Sequence, residues 1–129
     1  MKKLIILLFL TVCSIVSMGQ TFARAIYYEY GFVDTLTQEV DWNNKTKMEP
    51  ALVTIGSRYV KIYTDKLQQY FFRGSKYDLA EVKGYYYHSY TAEGKECVVY
   101  FYREDDGFDY IEIEYNNFVI KYHLSNLEQ

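Results

Sequence analysis

The sequence is short of the residues that make staples and reaction centres. Among 129 residues there are two cysteines, two histidines, one tryptophan and one proline. Cys13 falls in an apolar N-terminal run, so beyond it only Cys97 remains, and a lone cysteine makes no internal disulfide. His88 and His123 have no partner histidine at metal-ligand spacing, which argues against a histidine-based metal centre. No glycine-rich phosphate loop, nucleophile elbow or paired-carboxylate motif occurs. These absences point away from enzymes, cofactors and metals and towards a protein that acts by binding.

The chain begins MKKLIILLFLTVCSIVSMGQ. Two lysines, an apolar run over residues 4–16 and the small residues of Ser17-Met18-Gly19 form the pattern of a secretory signal cleaved before Gln20. The run is too short for a comfortable transmembrane helix, and no later segment is apolar enough for one. Residues 20–129 are therefore expected to form one exported domain and not an integral membrane protein. A lipid anchor at Cys13 is the alternative, although Val12 and the apolar Ile15 and Val16 depart from a lipoprotein signal. Loss of Lys2 and Lys3 takes the formal charge from −3 to −5. An acidic domain is ill suited to nucleic acid or to anionic membrane surfaces, both of which need concentrated lysine and arginine.

What is abundant is tyrosine: sixteen, with eight phenylalanines, of which only Phe9 lies in the leader. Short runs rich in Tyr, Val, Ile, Phe and Thr recur every eight to twelve residues between turn-forming residues, the signature of an all-β antiparallel domain. In YIEIEYNNFVIKYHL, Asn116-Asn117 suits a two-residue turn. Pairing Tyr115 with Phe118 sets Ile113 opposite Ile120 and Ile111 opposite Tyr122 on the core face, with Glu112 opposite Lys121 outside. In PALVTIGSRYVKIY, a Gly56-Ser57 turn pairs Val53 with Val60 and Ala51 with Ile62. Further strands are expected over 22–30, 67–73, 84–91 and 95–103, whereas the polar segment 32–49 suits a strand or short helix followed by a long loop. The result is a meander of seven to eight strands. Simple hairpin connections favour a small closed barrel, which removes exposed strand edges, over a two-layer β-sandwich.

Residues 84–102, GYYYHSYTAEGKECVVYFY, break the inside–outside alternation. Val98, Tyr100 and Tyr102 oppose Cys97, Val99 and Phe101, so both faces of that strand are apolar. A strand of this kind is buried on both sides or binds something with one of them. Tyr70, Phe72, Tyr86, His88, Tyr100 and Tyr102 are the candidate ligand-binding residues. They would line a cavity for a small apolar ligand or form an exposed tyrosine-rich face for an envelope glycan or protein. Cys97, mid-strand among apolar residues, reads as an inert core thiol and not as a nucleophile activated by His88. His123 is expected on a solvated outer face opposite Tyr110. REDDGFDY reads as a solvated hairpin turn, since its three aspartates lack the order of a calcium loop.

Three stretches, VTIGSRYVKIYTDKLQQYFF, GKECVVYFYRED and YIEIEYNNFVIKYHL, carry a resemblance. They are similar to the core of small uncharacterised secreted β-proteins of Gram-negative envelopes, which share a signal peptide, an aromatic run after an early hairpin and a closing hairpin of this type. Glu93 stands here where those proteins carry Asp. The resemblance implies a lipocalin- or calycin-like barrel and a cell-envelope location, in the periplasm or at the cell surface, and it implies no active site.

Overall fold

Alternating β-branched and aromatic residues do form strands throughout. The computed structural model describes residues 21–126. It contains β1 (Thr21–Val33), β2 (Val40–Trp42), β3 (Thr46–Ile55), β4 (Tyr59–Tyr63), β5 (Leu67–Asp78), β6 (Lys83–Thr91), β7 (Glu96–Arg103), β8 (Asp109–Glu114) and β9 (Phe118–Asn126). The expected signal segment and the alternative lipid-anchor residue Cys13 lie outside the described residues. Every pairing is antiparallel, and the order β1-β3-β4-β5-β6-β7-β8-β9 closes when β9 pairs back onto β1. The molecule is thus an eight-stranded barrel, not a sandwich, with β2 as a ninth strand added beside the far half of β1.

The barrel's middle is a packed aliphatic layer. Val53, Val60, Ile62, Val99, Ile111 and Ile113 are wholly buried there. Burying each such side chain stabilises the fold by about 1.5–3 kcal/mol. The β8–β9 hairpin has the register its sequence implies, with Ile113 opposite Ile120 and Ile111 opposite Tyr122. The β3–β4 hairpin keeps its expected faces but slides by two residues: Val53 pairs with Ile62 and Ile55 with Val60. Gly56 N–H donates to the Tyr59 carbonyl, so Ser57-Arg58 make the turn. Inside and outside survive because a two-residue slip preserves side-chain parity.

The segment 32–49 holds neither a helix nor a long loop. It completes β1, turns through residues 34–39, forms β2 and enters β3 at Thr46. Pro50 lies inside β3, where pairing with β1 is irregular and pairing with β4 has not begun, so its missing N–H interrupts no ladder.

One irregularity organises β1. The register to both neighbours shifts between Ala25 and Tyr27, leaving Ile26 as a bulge. Before it, Ala23 and Ala25 point inward; after it, Tyr28 points inward while Tyr27, Glu29 and Gly31 point out. Gly31 has no side chain because β2 leans across it. A Cβ there would lie 2.5 Å from Val40 Cγ1, 3.0 Å from the Asp41 carbonyl oxygen and 3.3 Å from the Trp42 ring. Gly31→Ala should therefore cost about 1–3 kcal/mol in chemical denaturation, as overpacking does. The protein's single tryptophan, Trp42, should report it by red-shifted emission as β2 lifts.

Candidate functional site

Antiparallel connection gives the barrel two unlike ends. At one end, Gln68, Tyr70, Tyr115 and Tyr122 form a hydrogen-bonded plug. Tyr70 donates to Gln68 Oε1 (2.7 Å), Gln68 Nε2 donates to Tyr122 Oη (3.0 Å), and Tyr115 Oη lies 3.4 Å from Tyr70 Oη. Burial pushes the Tyr70 hydroxyl well above its ordinary pKa, with the bond from Tyr115 adding to the effect, so the network stays neutral.

The opposite end is open. The alanines of β1 and the short Thr21 leave space that tyrosines fill elsewhere, and a cavity of about 440 Å³ results. Ala23, Ile55, Tyr85, Phe101 and Leu124 supply apolar walls. Lys83, Arg103 and Asp109 sit at the rim, where Arg103 grips Asp109 in a bidentate pair (2.8 and 3.1 Å). Beneath this wall Phe72 stacks flat on Tyr87 (centroids 4.0 Å apart) and meets Phe101 edge-on.

The six sequence-selected residues do not share a face. Tyr70 belongs to the plug and Phe72 to the inner wall, so both are inward. Tyr86, His88, Tyr100 and Tyr102 occupy the outer surface, on the opposite side of β6 and β7 from Tyr85, Tyr87, Cys97, Val99 and Phe101. Tyr102 alone of the six borders the open cavity. The mouth residues Ala23, Ile55, Lys83, Tyr85 and Leu124 escape sequence reasoning, because they meet only when β9 closes onto β1; the small inward Ala23 and Ala25 are the one available hint.

The outer residues form a belt of rings around the barrel. Tyr77 stacks on Tyr86, Tyr86 meets Tyr100, Tyr102 stacks on Tyr110, and Tyr110 meets His123 edge-on at 4.6 Å. His123 is indeed outward and opposite Tyr110, but it is not solvated. It is only 7% exposed, packed by Tyr27 and Tyr110, with Nε2 3.2 Å from Glu29. Lys121 is enclosed likewise. Its Nζ lies 3.6 Å from both Glu29 and Glu104 and within 5.0–6.0 Å of the Trp42, Tyr110 and Tyr102 rings. Val119, on the same outer face, is 1% exposed.

Cys97, His88 and the aspartates of the β7–β8 turn do not converge in this architecture. Cys97 faces the core, and burial pushes its thiol up to about 11, while His88 faces outward. The aspartates of the β7–β8 turn separate: Asp106 accepts from Tyr110 Oη and Phe108 N–H, whereas Asp109 holds Arg103. Among the described residues no group of three or more His, Cys, Asp or Glu side chains is placed to share a metal ion. No helix there is long and apolar enough to cross a membrane.

In comparison with known proteins, the chain matches no family model, no curated protein and no solved structure.

Glu112 sits under the belt, accepting from Tyr102 Oη at 3.0 Å. Burial raises its pKa, against the opposing pulls of Tyr102 and Lys121. A carboxyl whose pKa rises on folding favours the folded state at low pH, and that contribution is lost as pH climbs through the folded pKa. Glu112→Gln should therefore gain stability relative to the parent between pH 4 and pH 8, read from denaturation midpoints at both. A difference independent of pH would mean that the carboxyl is not desolvated.

Proposed function

We propose that the protein is a secreted, non-enzymatic binding module that holds a small apolar molecule in the open end of its barrel. The observation that carries this reading is the cavity of about 440 Å³, which falls within the range of sites for small ligands. Its walls are apolar, so binding gains from removing both surfaces from water. The Arg103–Asp109 pair holds the rim, and Lys83 has no ion-pair partner among the described residues, so a polar end of the ligand would lie there.

The packed middle layer limits the depth of the site. Cargo would sit in the mouth and not traverse the barrel. Export rests on the N-terminal pattern of Lys2, Lys3 and the apolar run after them. Binding is favoured over catalysis because Cys97, the one cysteine among the described residues, faces the core while His88 on the adjacent strand faces outward.

N-phenyl-1-naphthylamine, whose emission rises in apolar sites, tests the reading. The protein should bind it with one-to-one stoichiometry. Ala23→Leu fills the cavity and should weaken binding by about tenfold or more, each factor of ten corresponding to about 1.4 kcal/mol of lost contact. A stably folded Ala23→Leu that binds the dye as the parent does would place the site elsewhere.

A further inference from the structure

A second concavity lies outside the barrel, towards its plugged end. Between Arg73 and Tyr77 the pairing of β5 with β6 breaks, and Gly74 adopts φ 71° with nothing within 4 Å of where a Cβ would project. The strand departs from the barrel wall there and leaves a groove of about 640 Å³. Its walls carry Arg73, Tyr77, His88, Glu96, Glu114 and Asn116. Gln38 reaches the same groove from the β1–β2 turn, held at φ 62° in the left-handed region that non-glycine residues seldom occupy.

We infer that this groove is a binding site for a neutral oligosaccharide. Three properties point to that class. First, Tyr77 is 50% exposed and fixed by stacking on Tyr86 (5.2 Å) and by an edge contact with His88 (5.6 Å). A pre-oriented, half-exposed ring offers its π-cloud to the C–H side of a sugar at small entropic cost. Second, the polar groups around it are planar: a guanidinium, an imidazole, two carboxylates and two carboxamides. Groups with paired donors or acceptors match vicinal hydroxyls, which present both. Among the described residues the side chains of His88 and Asn116 make no hydrogen bond, and Gln38 uses only its Nε2, on the Thr35 carbonyl. Third, one guanidinium faces two carboxylates, and Arg73 is already 3.5 Å from Glu96. Such a balance repels phosphate and other anions while tolerating an uncharged ligand.

The inference is independent of the barrel-mouth reading, because the groove and the mouth share no lining residue. Isothermal titration calorimetry with maltotetraose, cellotetraose, chitotetraose and mannotetraose tests it, with tetragalacturonate as the anionic control. At least one neutral tetrasaccharide should saturate the protein at low-millimolar concentration. Tyr77→Ala, an exposed change that leaves the core intact, should weaken that binding by about tenfold, the scale of one lost aromatic contact. Tyr63→Ala, exposed but outside the groove, should leave it unchanged. The inference is overturned if no neutral tetrasaccharide binds, if Tyr77→Ala binds as the parent does, or if only tetragalacturonate binds.

Discussion

The bulge at Ile26 sets more of this structure than any other single feature. Without it, β1 would alternate uniformly, and Tyr28 would share a face with Arg24 instead of Ala25. With it, the small residues Ala23 and Ala25 face in at one end and Tyr28 faces in towards the other. The barrel is consequently roomy at its mouth and plugged at its base. The same inversion turns Tyr27, Glu29 and Gly31 outward, opposite His123, Lys121 and Val119 of β9. One extra residue thus shapes both the cavity inside and the polar–aromatic layer outside.

That outer layer is unusual for a barrel strand, whose exterior is ordinarily solvated when it faces water. Here Trp42 crosses Gly31, Glu104 reaches back to Lys121, and Asp106 takes the Tyr110 hydroxyl. The β1–β2 hairpin and the β7–β8 turn fold onto the surface and give it a roof. Lys121 could not be enclosed on apolar contacts alone, since an ammonium taken from water needs compensating charge. Glu29 and Glu104 supply it, and three rings add the attraction of their π-faces.

Much of the fold was legible in the sequence, and the limits of legibility follow from locality. The β8–β9 register could be read residue by residue, because a slip of one would have driven Glu112 and Glu114 into the core. A slip of two costs no such exchange, and that is the error the Gly56-Ser57 reading makes. The β1–β9 pairing, the bulge at Ile26 and the fate of residues 32–49 depend on partners far along the chain, so period and turn signals do not reach them. His123 shows the same limit: its own strand assigns it to the outer face, and only Tyr27, Glu29 and Tyr110, from other strands, remove it from water. For the site, the sequence located the unusual strands but not the orientation of their rings.

The tyrosine surplus of residues 84–102 is resolved by the two sides of one hairpin. Tyr85 and Tyr87 join Phe72 and Phe101 inside, where stacked and edge-on rings fill volume that aliphatic residues would leave irregular. Tyr86, Tyr100 and Tyr102 work outside, with hydroxyls that an outer face can keep hydrated or, for Tyr102, bonded to Glu112. Phenylalanine would serve the first group and not the second; serine or lysine would serve neither. Burial nonetheless raises the Tyr100 hydroxyl to about 12, and Tyr102 further in the same direction. Both therefore stay protonated over the ordinary pH range, Tyr102 as a donor to Glu112. Tyrosine is the residue that packs like a hydrocarbon and still satisfies a half-buried carboxylate, and a barrel whose described residues include a single cysteine uses it on both faces in place of covalent cross-links.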